Sequence, residues 1–198
     1  RPRIPDRFRS TPFVFLANIH PSLQLEVLEQ VQQPEFVALD TMNYWIESTP
    51  DELKKVLSKV NVLVINDSEA RQLTGEYNLV KAARIVQEMG PERVVIKRGE
   101  HGVLMTRPEG FFAVPGLPLD RVSDPTGAGD TFAGGFVGYL AAATEITDQV
   151  VNQAVIAGSA MASFAVEEFG LDRLLRLTDM DIEQRFCEFK RLTHFDEL

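Results

Sequence analysis

The chain has 198 residues, of which 44% are hydrophobic and 25% charged, as expected for a globular protein with a buried core. Its net charge of -9 disfavours nucleic acid and acidic membranes as partners. The single cysteine, Cys187, excludes an intrachain disulfide and a metal site built from several cysteines. Neither an apolar run of membrane-spanning length nor a signal peptide is recognisable in the sequence, so the default expectation is a cytoplasmic protein.

Short apolar runs alternate with amphipathic segments through the first half of the chain. We predict strands over residues 12–17, 35–39, 60–65, 93–97, 102–106 and 111–115. We predict helices over residues 22–32, 67–73 and 80–89, and another that begins with Thr49 as its cap and Pro50 at its first position. From residue 128 onward the chain is mostly helical, with predicted helices over 150–166 and 180–192. Such alternation is typical of an α/β protein with a largely parallel sheet.

The most informative stretch runs from Asp124 to Phe132, with the sequence DPTGAGDTF. An apolar segment with helical spacing follows it, so the stretch predicts a loop that enters the N-terminus of a helix. Gly127 and Gly129 permit a tight bend and a close approach of a ligand to the backbone N–H groups. A helix N-terminus suits phosphate. Asp130 then has two interpretations, as a helix cap or as a general base beside a bound anion.

The longer string from Asp124 to Phe136, Asp-x-Thr-Gly-Ala-Gly-Asp-Thr-Phe-x-Gly-Gly-Phe, resembles the C-terminal signature of the ribokinase-like (PfkB) sugar kinases. It is not a Walker A loop, because no Gly-Lys-Ser/Thr ends it. The resemblance implies an ATP-dependent kinase that transfers the γ-phosphate to a sugar hydroxyl, with Asp130 as the general base. It also implies an anion hole made by the backbone N–H groups of Asp130 and the three residues before it, Gly127, Ala128 and Gly129.

Asn66 and Glu69 directly follow the third predicted strand. Ligands of open parallel sheets bind beyond the carboxyl ends of the strands, where these two side chains are placed to organise a hydrated divalent ion. The alternative is a capping box, in which Asn66 caps a helix and Glu69 reaches back. Asn-x-x-Glu resembles the second signature of the same kinase family. That resemblance implies that both residues hold Mg²⁺ through water and position the phosphates of ATP.

The segment from Lys97 to Gly102 lies between two predicted strands and predicts a hairpin turn, with Gly99 and Gly102 in unusual backbone conformations. Family members carry a similar Gly-x-x-Gly turn beside the nucleotide. The resemblance therefore implies that Lys97 or Arg98 meets the phosphates of ATP, and that Gly99 and Gly102 belong to the nucleotide site. We expect His101 to be a solvent-facing residue of the turn.

Further contacts follow from the same resemblance. Asp124 with nearby carbonyl groups is a candidate site for a monovalent cation such as K⁺, and Thr126 lies beside the nucleotide. The alternative for Asp124 is a loop acid that accepts hydrogen bonds from backbone N–H groups. Asn43, after the second strand, has two interpretations, as a contact to substrate or phosphate and as a turn cap. In the family the helix predicted over 150–166 borders the adenine, which makes candidates of Asn152, Gly158 and Ser159.

The resemblance covers residues 12–166. It implies a three-layer α/β/α fold with a largely parallel sheet, in which the family's N-terminal part and its β-sheet lid are not recognisable. We therefore expect one kinase domain over residues 1–198, truncated at the N-terminus and inactive or nearly so by itself. Homodimerisation of the full-length protein is left open.

The expected ligands are ATP, Mg²⁺ and an acceptor, with K⁺ as a candidate. A sugar is the expected acceptor, and a nucleoside is the alternative. A non-catalytic nucleotide-binding relative is disfavoured, because Asp130, Asn66 and Glu69 are all present. A dinucleotide-binding protein is disfavoured as well, since no Gly-x-Gly-x-x-Gly follows the first strand.

Overall fold

The structure, a computed structural model, describes residues 1–194 and residue 196. The chain folds into two compact units. The first unit contains Arg1–Lys97 and Leu104–Phe111, and the second contains Arg98–Val103 and Phe112–Leu198.

Six strands form one sheet in chain order: β1 (Phe13–Leu16), β2 (Phe36–Asp40), β3 (Val62–Asn66), β4 (Arg93–Lys97), β5 (Val103–Thr106) and β6 (Phe111–Val114). The first four strands pair in parallel. The connections before β5 and before β6 are too short for a crossover. Strand β5 therefore runs antiparallel to β4, and β6 runs antiparallel to β5. All six strands lie within two residues of their predicted positions.

Five helices belong to the first unit: α1 (Pro21–Leu28), α2 (Asn43–Ser48), α3 (Pro50–Leu57), α4 (Asp67–Thr74) and α5 (Leu79–Glu88). The sequence predicted four of them, although α1 ends earlier than expected, and α2 was missed. Pro50 takes the first position of α3 as predicted, but Thr49 does not cap this helix with its side chain. Its hydroxyl donates instead to the Trp45 carbonyl at 3.2 Å, because α2 ends immediately before it.

The core of the first unit is largely apolar. Every residue of β2 is buried, and so are the first four of β3, because strands covered on both faces need continuous apolar runs. Leu39, Leu53, Leu63, Ile65 and Ile96 are completely inaccessible to solvent. Burying one such side chain contributes about 1.5–3 kcal/mol, so this cluster firmly holds the strand ends that carry the candidate site residues.

Three helices form most of the second unit: α6 (Ala128–Ala142), α7 (Asp148–Ala165) and α8 (Asp179–Thr193). Close packing of α6 on α7 depends on glycine: a Cβ at Gly158 would lie 2.7 Å from the Phe132 carbonyl oxygen. A capping box starts α8, in which Asp181 accepts from the Thr178 backbone N–H at 2.9 Å. The hydroxyl and N–H of Thr178, with Arg173, lower the pKa of Asp181 to about 2. Within the described part of the chain, no helix combines the length and the apolar character needed to span a membrane.

Candidate active site

The loop predicted around Gly127 enters α6 as expected. Gly127 stands at the N-cap with φ 78°, a left-handed conformation that favours glycine. A Cβ at this position would meet nothing within 4 Å, so the backbone conformation, not crowding, calls for glycine. The first intrahelical bond runs from the Thr131 N–H to the Gly127 carbonyl at 2.9 Å. Asp130 is therefore the third residue of α6, and it is exposed.

The backbone N–H groups at this helix start differ in what they bind. The Ala128 N–H donates to the Pro125 carbonyl at 3.3 Å. The N–H groups of Gly129 and Asp130 come before the first intrahelical bond, and among the described residues no side chain caps this helix. Asp130 thus does not act as the cap, which was one of its two interpretations. The start of α6 presents open donors and a positive dipole end beside an exposed carboxylate.

The loop before α6 is tied down by backbone hydrogen bonds. Asp124 accepts from the Thr126 N–H at 2.9 Å, as the loop-acid interpretation requires. Hydrogen bonds from Thr126, with a further one from the Gly170 backbone, lower the pKa of Asp124. The N–H groups of Ser123 and Asp124 both donate to the Val166 carbonyl, at 2.8 and 3.4 Å. The role of Asp124 at a monovalent cation and that of Thr126 at the nucleotide stay predictions.

Asn66 and Glu69 form the capping box that the sequence offered as an alternative. Asn66 Oδ1 accepts from the Glu69 N–H at 2.8 Å, and Glu69 Oε2 accepts from the Asn66 N–H at 2.8 Å. Glu69 is only 7% exposed, and burial raises the pKa of its carboxyl despite the opposing effects of the Asn66 hydrogen bonds and Lys97. The box uses one oxygen of each side chain. Direct capping is therefore established, whereas a role at Mg²⁺ stays a prediction.

Parallel pairing brings further polar groups to the carboxyl ends of β2, β3 and β4. Asn66 is in register with Lys97, and Lys97 and Asp40 both act electrostatically on Glu69. Asp40 is 7% exposed and accepts from the Thr41 N–H at 2.8 Å. Sequence reasoning singled out Asn43 in this stretch and did not assign Asp40 a role. The signal for Asp40 was a carboxylate placed directly after a fully apolar strand.

Asn43 is the first residue of α2, while Met42 occupies the N-cap, so Asn43 does not act as a cap. Thr41 is 3% exposed, and its hydroxyl is buried without a hydrogen-bond partner among the described residues.

The turn from Arg98 to Gly102 has the backbone that was predicted. Gly99 has φ 56° and Gly102 has φ 80°, and a Cβ at Gly102 would lie 2.0 Å from the Val114 carbonyl oxygen. The Arg98 N–H donates to the Gly102 carbonyl at 2.8 Å, and Arg98 Nη2 donates to the His101 carbonyl at 2.7 Å. The His101 side chain is 75% exposed, as expected. Contacts of Arg98, Gly99, Gly102 and Lys97 with ATP stay predictions.

The three candidates for contact with adenine lie on α7 in different surroundings. Gly158 is buried against Phe132, so close packing alone explains why this position is a glycine. The Ser159 hydroxyl donates to the Val155 carbonyl at 2.8 Å within the helix. Asn152 is half-buried, and its Oδ1 has no hydrogen-bond partner among the described residues. Asn152 is thus the candidate with an unsatisfied polar atom.

A metal centre built from protein side chains alone is not part of this arrangement. Within the described part of the chain, no group of three or more His, Cys, Asp or Glu residues is placed to hold a metal ion. Any divalent ion at Glu69 and Asn66 would therefore depend on water and ligand oxygens, which is the usual coordination of Mg²⁺ beside phosphates.

Comparison with known proteins identifies the class. A family model described as "pfkB family carbohydrate kinase" matches residues 6–176. The chain belongs to this family. A cytidine kinase from Thermococcus kodakarensis is 35% identical over 142 residues, 69% of this chain and 50% of that protein. A ribokinase from Haemophilus influenzae is 33% identical over 121 residues, 59% of this chain and 38% of that protein. The chain thus spans half or less of the length of these two curated relatives.

Solved structures agree on the fold. Aminoimidazole riboside kinase from Salmonella enterica, in complex with aminoimidazole riboside and an ATP analog, matches with a TM-score of 0.75 at 22% identity. That match covers 90% of this chain and 63% of the other. Fructokinase from Vibrio cholerae O395, with fructose, ADP and calcium bound, matches with a TM-score of 0.77 at 20% identity, over 92% and 63% of the two chains. These similarities confirm the predicted three-layer α/β fold with a mostly parallel sheet.

Proposed function

We propose that the chain carries the nucleotide-binding and catalytic part of an ATP-dependent kinase that transfers the γ-phosphate to a sugar hydroxyl. The observation that carries the proposal is the start of α6, where open N–H groups of Gly129 and Asp130 adjoin the exposed Asp130 carboxylate. Membership of the pfkB family supports phosphotransfer as the reaction class. The proposed division of labour follows from what phosphoryl transfer requires, namely positioning and stabilisation of charge.

In this mechanism Asp130 accepts the proton of the acceptor hydroxyl as its oxygen attacks the γ-phosphorus. The bond between that phosphorus and the oxygen that bridges it to the β-phosphate breaks, and ADP leaves. The N–H groups of Gly129 and Asp130, with the dipole of α6, stabilise the charge that develops on the transferring phosphoryl group. Gly127 and Ala128 complete the turn that aims these donors.

The residues at the end of β3 fit a hydrated Mg²⁺ better than a directly bound one. The capping box engages the only side-chain oxygen of Asn66 and one of the two carboxylate oxygens of Glu69. These side chains would therefore hold the ion through water. When bound, Mg²⁺ neutralises charge on the phosphates of ATP. Lys97, in register with Asn66, adds a positive charge at the same strand ends. K⁺ at Asp124 is a further proposal, which rests on the family resemblance alone.

The first test replaces Asp130 with Asn in the full-length protein. We expect turnover to fall about 10²–10⁴-fold, the usual contribution of a general base, with ATP affinity nearly unchanged. ADP release with a panel of sugars and nucleosides measures the turnover. Asp179→Asn, at an exposed first-turn acid of α8, is the matched control and should keep full activity. Near-normal turnover of Asp130→Asn would remove Asp130 from this role, and an inactive parent that binds ATP would favour the non-catalytic alternative.

A nucleoside is the second candidate for the acceptor, and an aromatic cluster in the first unit favours it. The Trp45 ring lies 4.9 Å from the His20 ring and 4.7 Å from the Tyr44 ring, and Trp45 Nε1 donates to Asn18 Oδ1 at 2.8 Å. The cluster follows the carboxyl ends of β1 and β2, where ligands of parallel sheets bind. Tyr44 is 59% exposed, and such a ring is suited to stack on a base. The similarity to a cytidine kinase points the same way.

The choice between acceptors can be made with fluorescence, because Trp45 is the single tryptophan of the chain. We expect nucleosides to quench its emission and free sugars to leave it unchanged. Tyr44→Ala should weaken nucleoside binding roughly 5–150-fold, since stacking on one ring contributes about 1–3 kcal/mol. Tyr77→Ala, which alters another exposed tyrosine of the same unit, is the control. An equal response to ribose and cytidine would contradict base recognition by this cluster.

A further inference from the structure

A charged network joins the end of α7 to α8 within the second unit. Arg185 Nη2 donates to Glu167 Oε1 at 2.6 Å, and Arg173 Nε donates to Glu167 Oε2 at 3.0 Å, so two arginines occupy both oxygens of one carboxylate. The two guanidinium carbons lie 3.9 and 4.9 Å from the centre of the Phe164 ring, which is 1% exposed. Glu167 thus pairs with two cations that both contact the Phe164 ring.

Arg185 is the most connected member of this network. Its Nη1 donates to the Ser163 hydroxyl at 2.6 Å, and its Nε pairs with Glu188 at 3.1 Å. The side chain is only 12% exposed, so its interactions are screened less than those of a surface ion pair. Each of the three guanidinium nitrogens of Arg185 thus has its own acceptor. The single ammonium group of a lysine could not reach three acceptors placed in this way.

The network includes a residue next to the segment that is hydrogen-bonded to the loop before α6. Glu167 directly follows Val166, whose carbonyl accepts the N–H groups of both Ser123 and Asp124. From Asp124 the hydrogen bonds continue to the Thr126 N–H, and the carbonyl between these two residues accepts from the first residue of α6. A continuous series of bonds therefore runs from α8 to the start of α6.

We infer that Glu167 and Arg185 are positioning residues, which hold the loop of residues 123–127 and through it the start of α6 with Asp130. The kinetic consequence of this inference rests on the proposed function, whereas the positioning itself does not. The competing explanation is that the network serves only to attach α8. The two differ in whether breaking the network disturbs residues 123–131.

The kinetic test uses Glu167→Gln and Arg185→Ala in the full-length protein, well below the melting temperature. We expect kcat to fall about tenfold or more while KM for ATP changes less than about threefold, because misplaced groups lose transition-state stabilisation before they lose binding. Arg185→Lys should not restore kcat, since one ammonium cannot serve three separated acceptors. The matched control is Arg176→Ala, which removes an exposed pair with Glu168 in the same segment and should leave kcat unchanged.

Amide hydrogen exchange of the same variants tests the positioning without any activity. Exchange over residues 123–131 should rise in Glu167→Gln and Arg185→Ala, and not in Arg176→Ala. If both kcat and exchange match those of the Arg176→Ala control, the network only attaches α8 and the inference fails. The inference also fails if kcat falls merely in proportion to the unfolded fraction. A full-length protein that phosphorylates no acceptor would contradict the proposed function. The hydrogen-exchange result would still decide whether Glu167 and Arg185 position the loop.

Discussion

Glu69 and Asp130 are both acids in the first turn of a helix, yet their surroundings give them different chemistry. Glu69 is 7% exposed and hydrogen-bonded into a capping box, and burial raises the pKa of its carboxyl. Asp130 is exposed beside N–H groups that no side chain caps among the described residues. Glu69 therefore caps the start of α4, whereas the carboxylate of Asp130 is available to a ligand. This contrast supports the separate roles proposed for them.

The raised pKa of Glu69 predicts how stability depends on pH. A carboxyl whose folded-state pKa lies above its ordinary value of 4.5 favours folding while protonated and loses that contribution as pH rises through the folded pKa. Glu69→Gln stays neutral and can still accept from the Asn66 N–H. We therefore expect it to be at least as stable as the wild type at pH 7, with an advantage that shrinks below about pH 4.5.

Urea unfolding of both proteins between pH 4 and pH 8 measures this difference. Asp51→Asn is the control, because Asp51 is an exposed first-turn acid of α3. A wild type that is clearly more stable than Glu69→Gln at pH 7 would mean that the ionised carboxylate is stabilised in place, against the assigned direction of the pKa.

At the scale of elements, the strands could be predicted because the apolar pattern that produces them lies within each segment. The residues of β2 and β3 are apolar almost without interruption, and burial on both faces demands that pattern. The six residues of α2 bury only Ile46, so they show no helical period. The cap assigned to Thr49 was wrong for a related reason, since its hydroxyl is engaged by the α2 that the sequence did not reveal.

The features of the candidate site likewise fall into those that depend on local sequence and those that depend on the fold. The glycine conformations of the turns and the capping box at Asn66 depend on neighbours within a few residues, so their sequence signals were readable. The effect of Asp40 on Glu69 depends on the order of strands in the sheet, which a single sequence does not specify. The contacts of Arg185 with α7 escaped notice, because the amphipathic pattern of α8 indicates a buried face without indicating what it packs against.

The packing of α6 on α7 predicts the effect of substituting Gly158. A Cβ there would lie 2.7 Å from the Phe132 carbonyl oxygen and 3.0 Å from its ring, and the carbonyl belongs to a helix that cannot easily move. We expect Gly158→Ala to destabilise the protein by about 1–3 kcal/mol through overpacking. Gly138→Ala is the matched control, because a Cβ at that position of α6 meets nothing within 4 Å. It should stabilise the protein by about 0.5–1 kcal/mol.

Chemical denaturation of the two variants separates packing from ligand contact at Gly158. Equal stabilities would refute the close approach of the helices. A normal stability for Gly158→Ala combined with weaker ATP binding would favour the contact with adenine that the family resemblance implies.

At the scale of the whole molecule, a net charge of -9 means that ATP cannot be attracted by the overall field of the chain. Binding of a polyanion must instead come from local groups. The groups proposed for this role are the N–H groups at the start of α6 in the second unit and, in the first unit, Lys97 at the end of β4. The chain spans half or less of the two relatives compared above. The activity proposed for this chain by itself is therefore nucleotide binding.

Magnesium-ATP should therefore stabilise this chain against heat even where turnover is absent. At a free concentration one hundred times Kd, the free energy of unfolding rises by about 2.7 kcal/mol, which for a protein of this size raises Tm by roughly 5–10 °C. Asp130→Asn should keep the whole shift, because a general base is not needed for binding. Lys97→Ala should lose part of the shift, since it removes the positive charge that is proposed to meet the phosphates. A Tm that stays constant up to millimolar magnesium-ATP would contradict a nucleotide site in these residues, whatever the full-length protein does with sugars or nucleosides.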